Sequence, residues 1–215
     1  TGAFGSLGKG EADEFWGNKP SFTPTADPAG SIYQQSGGDQ GHETNVEDAD
    51  DTISKLLRSR LPENGDHPIL NKNPYNTVRL PWLRALFPKA VIVAMVRNPA
   101  ANVFSITKKF VPHSGRGTAP EEGWWGVKPR GWREMVCENK VKQAASQWKA
   151  VNERLIETIR PDDLVFEYSA VCADPLGAVS AILARTQVPF DSNVLSAAGK
   201  ITCRDHEFQT GAALR

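Results

Sequence analysis

The sequence predicts an α/β fold in which helices flank a central parallel sheet. Two apolar segments of strand length, residues 90–96 (AVIVAMV) and 164–168 (LVFEY), are each followed by a segment with helical signals. The first segment is apolar at every position, which is typical of a strand buried on both faces of a parallel sheet. Strands that alternate with helices in this way are joined by right-handed crossovers, so their carboxyl ends meet at one edge of the sheet.

Length and composition narrow the class of protein further. With 215 residues, 40% of them hydrophobic, the chain predicts one domain spanning residues 1–215. Lys plus Arg (25) balance Asp plus Glu (25), which argues against a nucleic-acid groove. The three cysteines form no CxxC pair, so neither a disulfide framework nor a structural zinc site is expected. No apolar run reaches the ~18 residues of a membrane span, and we expect a soluble, cytoplasmic protein.

The amino-terminal part is dominated by a polar segment. Residues 17–51 are rich in Gly, Pro, Ser, Thr and Asp, and they predict a long loop that serves as a lid or acceptor-binding segment, or is disordered. A helix is expected to start near Asp50, and its apolar face comprises Ile53, Leu56, Leu57 and Leu61. A short strand over residues 67–72 is expected to end at Lys72.

The central part of the sequence contains a strand-to-helix junction at Arg97. A helix is expected between Pro74 and Phe87, with Pro81 tolerated in its first turn and Pro88 following its end. The strand over residues 90–96 then leads through Arg97-Asn98-Pro99 into a helix over residues 99–109.

The carboxyl-terminal part again predicts an irregular loop followed by helices and a strand. Residues 111–132 predict a second long, irregular loop, which contains Trp124, Trp125 and Trp132. The expected elements that follow are a helix over 138–160, a strand over 164–168, a helix over 175–186, a short helix over 193–198 and a polar tail.

The junction at Arg97 carries the clearest chemical signal. A buried strand delivers Arg97 at its carboxyl end, and the helix that follows starts with free backbone N–H groups and a positive dipole end, which favour a phosphate. Ser105, eight residues later, is about two turns into this helix, where its hydroxyl can reach the same anion. From the residues alone, Arg97 could equally cap the sheet edge or pair with a carboxylate.

The segment FPKAVIVAMVRNPAANVFSI resembles the 3′-phosphate-binding segment of PAPS-dependent sulfotransferases of the bacterial and carbohydrate-type branch. Those enzymes have a Phe-Pro, an apolar strand, an Arg-x-Pro and a Ser eight residues after the Arg, and all four features are present here. The resemblance implies a P-loop-NTPase-like sulfotransferase fold, PAPS as co-substrate and 3′,5′-ADP as product. It implies that Arg97 and Ser105 hold the 3′-phosphate of the nucleotide.

Two further segments agree with this resemblance in order and spacing. LNKNPYN is similar to a strand-end Lys-x-Pro of the family, which implies that Lys72 offsets charge on the bridging oxygen; an exposed strand-end lysine is the alternative. LVFEYSAVCADP is similar to the strand from which a family aromatic approaches the adenine, and Tyr168 has this position. Ser169 stands where the family usually has an acid, and a Tyr packed at a strand end is the alternative.

The general base is the least constrained assignment. KGEADEFWG is similar to the Lys-Glu-x-x-x-Phe pattern of the Glu-using branch, which implies that Glu11 deprotonates the acceptor, with Glu14 as second candidate. An acidic first helical turn is the structural alternative. His42 and His113 lie in the predicted loops and are alternative bases. No metal is expected, because Lys and Arg can carry the charge stabilisation.

The expected activity is transfer of a sulfuryl group from PAPS to a small-molecule or glycan acceptor with a hydroxyl or amine. The Trp residues of the second loop either line the acceptor pocket or pack in the core. The family's first motif, a 5′-phosphosulfate loop, has no counterpart before Glu11, and GAFGSLGKGE lacks P-loop spacing. The missing motif favours a first alternative, a truncated or non-catalytic nucleotide-binding module. A nucleotide kinase-like phosphotransferase is the second alternative, and the absent Walker pattern argues against it.

Overall fold

The computed structural model describes residues 41–43, 46, 72, 74–110, 123–190, 192–198 and 200–201. The chain divides into two compact units, one comprising residues 1–90 and 109–159 and the other residues 91–108 and 160–215. The predicted helix near Asp50, the predicted strand before Lys72, most of the loop over residues 17–51 and the polar tail lie outside the described residues.

The described residues form helices and two strands in alternating order. In chain order they are a 3₁₀ helix (Pro74–Val78), α1 (Leu80–Leu86), β1 (Val93–Val96), α2 (Pro99–Phe110), α3 (Trp132–Met135), α4 (Lys140–Thr158), β2 (Leu164–Glu167), α5 (Tyr168–Ala173), α6 (Pro175–Thr186) and α7 (Ser192–Ala198). The predicted α/β class is confirmed.

The sheet of the second unit is parallel, as predicted. β1 pairs with β2 so that Val93 lies opposite Leu164 and Val96 lies opposite Glu167. The predicted burial of the first strand on both faces is wrong, since Ala94 is 7% exposed but Met95, on the other face, is 54% exposed. Within the described ranges the sheet has two strands, β1 and β2.

Helix α6 begins and ends where the sequence predicts. The carboxylate of Asp174 accepts a hydrogen bond of 2.8 Å from the backbone N–H of Gly177, and Pro175 occupies the first turn, where it costs no hydrogen bond. The helix ends at Gln187, which adopts a left-handed conformation with φ of 57°.

Helix α4 is the longest of the helices that the structure describes, and it contributes to the core of the first unit. It packs against the 3₁₀ helix and α1. Its amino terminus is capped by Asn139, whose side-chain oxygen accepts from the N–H of Lys142 at 3.0 Å. At its carboxyl terminus, the guanidinium of Arg84 donates to the carbonyl of Thr158 at 2.6 Å, which satisfies a carbonyl left without a helical partner. The fully buried core residues include Val78, Trp82, Leu86, Trp124 and Trp132.

Two short helices are absent from the sequence-based expectation. Helix α3 begins at Trp132, where the irregular loop was expected to end, and α5 starts directly where β2 ends. Both are six residues long or shorter, so they contain too few turns to produce a helical hydrophobic period.

Candidate nucleotide-binding site

The two strands of the second unit place Arg97 and Tyr168 side by side. Val96 and Glu167 are paired at the last position of the ladder, so the next residues of both chains leave the sheet at the same edge. The guanidinium carbon of Arg97 lies 5.0 Å from the centroid of the Tyr168 ring, which is within the range of a cation–π interaction. Both residues are partly exposed. The parallel register therefore presents a guanidinium and an aromatic ring at one point on the sheet edge.

Helix α2 follows Arg97 after one residue. The side-chain oxygen of Asn98 accepts from the N–H of Ala101 at 3.2 Å, so Asn98 caps the helix, and Pro99 is its first residue. Ser105 lies six residues into α2, roughly 9 Å along the helix axis from its start, and is exposed. The structure thus leaves Ser105 exposed on the helix that begins beside Arg97.

The turn from β2 into α5 fixes the backbone of Tyr168. The hydroxyl of Ser169 donates to the Glu167 carboxylate at 2.7 Å across this turn. Tyr168 is the first residue of α5, so its φ and ψ are helical. The Ser that departs from the family pattern is therefore used locally, as the partner of Glu167.

Of the two predicted catalytic residues, Lys72 lies among the residues that the structure describes. Lys72 is exposed and lies outside any helix or strand. Glu11, together with the second candidate Glu14 and the alternative base His113, lies outside the described residues. Their roles stay predictions.

Residues 41–43, which we call the clasp, are held firmly in the first unit. The backbone N–H of His42 donates to the carbonyl of Lys128 at 2.7 Å, and the His42 Nδ1 atom accepts from the N–H of Lys128 at 2.7 Å. The guanidinium Nε of Arg79 donates to the His42 carbonyl at 2.6 Å. The Tyr75 ring lies 4.2 Å from the imidazole, centroid to centroid. His42 is therefore engaged through its backbone and its side chain.

Burial and charge keep His42 neutral. The residue is 7% exposed, and desolvation, aided by the nearby charges of Arg79 and Lys128, lowers the pKa of its imidazole from 6.5 to about 3. A buried imidazole whose Nδ1 already accepts a hydrogen bond is not an accessible base. The expectation that His42 is an alternative general base is thus wrong, because the sequence placed it in an open loop and the fold packs it.

Glu43 extends the clasp to helix α4. Its side chain is 11% exposed, its Oε2 atom lies 3.5 Å from Arg154 Nε, and its Oε1 atom accepts from the N–H of Arg130 at 3.1 Å. Glu43 therefore connects the clasp to α4 and to residues 123–132, which we call the Trp-rich loop.

Two buried glutamines organise the Trp-rich loop from α4. Gln143 donates to the carbonyl of Gly123 at 2.9 Å, and Gln147, one turn later, donates to the carbonyls of Trp125 and Val127, each at 2.9 Å. Gln143 is 0% and Gln147 is 3% exposed. Sequence reasoning missed both residues. The available signal was a pair of amides four residues apart on the face that also carries Ala144.

The three Trp residues divide between core and surface. Trp124 and Trp132 are 2% and 0% exposed and pack edge to face at 5.6 Å, so they belong to the core. Trp125 is 41% exposed, and the Lys109 ammonium lies 5.6 Å from its ring centroid. An acceptor-contacting role is left open for Trp125 alone.

Metal-binding clusters and membrane-spanning helices are both absent from the residues that the structure describes. Across the described ranges, no cluster of three or more His, Cys, Asp or Glu side chains is arranged to hold a metal ion. None of the helices that the structure describes combines the length and the apolar character needed to cross a membrane.

Comparison with known proteins identifies relatives of this chain. Residues 25–192 match the sulfotransferase family. A putative protein-tyrosine sulfotransferase of Caenorhabditis briggsae is 28% identical over 112 residues, which are 50% of this chain and 39% of that protein. A putative protein-tyrosine sulfotransferase of Caenorhabditis elegans is 30% identical over 112 residues, 50% of this chain and 42% of that protein.

The chain thus matches about two fifths of the length of these curated relatives. No solved structure matches it significantly. The family match includes β1, α2, β2 and α5, the elements that carry Arg97, Ser105 and Tyr168, and it extends over more than half of the chain. This chain belongs to the sulfotransferase family.

Proposed function

We propose that this protein is a sulfotransferase that transfers a sulfuryl group from PAPS to an acceptor hydroxyl or amine. The observation that carries the proposal is the placement of Arg97 and Tyr168 at the shared carboxyl edge of β1 and β2. Parallel α/β sheets bind their ligands at this edge. A nucleotide with a 3′-phosphate needs one cationic donor for the phosphate and one aromatic surface near the base, and this edge provides both.

Arg97 and Ser105 bind the 3′-phosphate in this proposal. The guanidinium supplies several N–H donors and a permanent charge, and the exposed Ser105 hydroxyl supplies one more donor. Tyr168 lies near the adenine. All three positions lie within the segment that matches the family.

The transfer step itself is assigned to Glu11 and Lys72. The acceptor oxygen or nitrogen forms a bond to sulfur while the bond from sulfur to the bridging phosphate oxygen breaks, and the bonding electron pair stays on that oxygen as 3′,5′-ADP leaves. Glu11 takes the acceptor proton, and the Lys72 ammonium offsets the charge that develops on the bridging oxygen. The exposure of Lys72 is compatible with this role.

Calorimetric titration with 3′,5′-ADP and with 5′-AMP tests the nucleotide assignment. We expect wild-type protein to bind 3′,5′-ADP about 10- to 100-fold more tightly than 5′-AMP, because hydrogen bonds to charged groups contribute about 1.5–3 kcal/mol. Arg97→Ala should abolish most of this preference. Arg185→Ala is the matched control, because Arg185 belongs to the same unit, is 48% exposed and pairs with Asp162.

Equal affinities of wild-type protein and Arg97→Ala for 3′,5′-ADP would remove the assignment of Arg97. Binding of ATP that requires Mg²⁺, without a preference for 3′,5′-ADP, would favour a nucleotide kinase-like phosphotransferase instead.

A further inference from the structure

We infer that Tyr168 is a positioning residue for Arg97, and that its ring holds the guanidinium in the orientation that binds the 3′-phosphate. This inference rests on the proposed function and adds to the adenine contact a second role for the same side chain. The observation behind it is the 5.0 Å distance from the Arg97 guanidinium carbon to the Tyr168 ring centroid, with the guanidinium lying over the ring.

Holding an arginine side chain in one orientation has an entropic cost. The long side chain has several rotatable bonds and loses up to about 2 kcal/mol of conformational entropy when it is fixed. An aromatic face within 6 Å attracts the cation and restricts the guanidinium to a plane over the ring. A guanidinium that is already oriented in the free protein loses less entropy when the phosphate binds.

The backbone around Tyr168 makes the ring a fixed support. The last ladder pair, Val96 with Glu167, sets the distance between the two chains, and α5 begins at Tyr168 itself. The Ser169 hydroxyl, bonded to Glu167 at 2.7 Å, further restrains the turn. The backbone position from which the ring projects is therefore set by the sheet register and by α5, two features that do not depend on a ligand.

The two roles of Tyr168 predict different binding results. A contact with adenine affects 3′,5′-ADP and 5′-AMP equally, because both contain the base. Positioning of Arg97 affects 3′,5′-ADP alone, because 5′-AMP lacks the 3′-phosphate. The ratio of the two affinities therefore isolates the positioning role.

The test is calorimetric titration of the full chain with both nucleotides. Tyr168→Leu removes the aromatic face, and we expect it to lower the ratio of affinities about 3- to 10-fold. Tyr168→Phe keeps the face and should preserve the ratio, even where loss of the hydroxyl weakens both nucleotides. In the Arg97→Ala background, Tyr168→Leu should leave the ratio unchanged.

A ligand-independent signal accompanies the titrations. The Arg97 Hε and Hδ resonances should be shifted upfield by the ring current in wild-type protein and in Tyr168→Phe, and this shift should vanish in Tyr168→Leu. If Tyr168→Leu loses the far-ultraviolet circular dichroism of the folded chain, Tyr168→Met takes its place.

The outcomes separate this inference from the proposed function. If wild-type protein prefers 3′,5′-ADP and Arg97→Ala abolishes the preference, the proposed function is supported, and an unchanged ratio in Tyr168→Leu overturns the positioning role alone. A ratio that stays constant while both affinities fall assigns Tyr168 to adenine only and also overturns it. If wild-type protein shows no preference, the proposed function fails and the positioning role fails with it.

Discussion

The buried imidazole of His42 makes the stability of this protein depend on pH in a way that can be worked out from its surroundings. Its Nδ1 atom accepts from the N–H of Lys128 at 2.7 Å, so the atom that would take the proton faces a donor. Protonation would cost this hydrogen bond and bury a charge beside Arg79. The pKa of His42 is accordingly lowered from 6.5 to about 3.

The direction of the effect follows from the two pKa values. Between pH 6.5 and about 3 the unfolded chain binds a proton at His42 that the folded chain does not bind, so acid favours the unfolded state. The contribution of neutral His42 to the free energy of unfolding is fully present above pH 6.5. It falls as the pH is lowered and stops falling below about pH 3. At pH 5 the free energy of unfolding should be reduced by about 2 kcal/mol through this one residue.

The assay is urea denaturation at pH 7.5 and at pH 5.0 of wild-type protein and of His42→Asn. The Asn side-chain oxygen is as many bonds from the Cα atom as Nδ1 is, so it can accept the same N–H, and it does not titrate. The sequence contains 4 His residues, and the other three contribute equally to both proteins. We expect wild-type protein to lose about 2 kcal/mol more than His42→Asn between these two pH values.

An equal loss in the two proteins would refute the reasoning, since it would mean that His42 is protonated in the folded state at no cost. A long-range ¹H–¹⁵N spectrum gives a second check. The Nδ1 atom should remain unprotonated from pH 7.5 to pH 5, and a proton on Nδ1 at pH 7.5 would contradict the hydrogen bond from Lys128.

Two further predictions concern the clasp and the Trp-rich loop, and urea denaturation at pH 7.5 checks both. Gly41 and Gly131 both have positive φ, 62° and 70°, but a Cβ at Gly41 would collide with the Lys128 carbonyl, whereas one at Gly131 meets no atom within 4 Å. Gly41→Ala should therefore destabilise the protein by at least about 2 kcal/mol more than Gly131→Ala, and equal effects would show that the clasp is not packed as described. Gln143→Leu should cost roughly 2 kcal/mol, because it leaves the half-buried Gly123 carbonyl without its donor and the Cys137 N–H without its acceptor, and a change below about 0.5 kcal/mol would contradict this role.

Local signals predicted the elements that have clear boundaries. Helix α6 was predicted with the observed bounds because Asp174, Pro175 and an apolar period all lie within a few residues of each other. The strand before Arg97 was predicted correctly in type but observed to be shorter, since apolar residues do not reveal where the hydrogen-bonded ladder begins. Helix α5 was missed because six residues after a strand produce no period.

The sequence by itself determined which residues of the candidate site share an edge of the sheet. Parallel pairing brings carboxyl ends together whatever the loops do, so Lys72, Arg97 and Tyr168 could be grouped before any coordinates. The structure pairs the strands that end at Arg97 and Tyr168, and the grouping of Lys72 with them stays a prediction. It also determined the family, since the order of strand, Arg-x-Pro and Ser is carried in one continuous segment.

Only the tertiary structure decided what surrounds each side chain. The contact between Arg97 and the Tyr168 ring depends on the register of the two strands, which short apolar segments do not specify. The burial of His42 depends on Lys128, which is 86 residues away in the chain. Such long-range contacts determine desolvation and hydrogen bonding, and these in turn determine whether a histidine is an accessible base or part of the core.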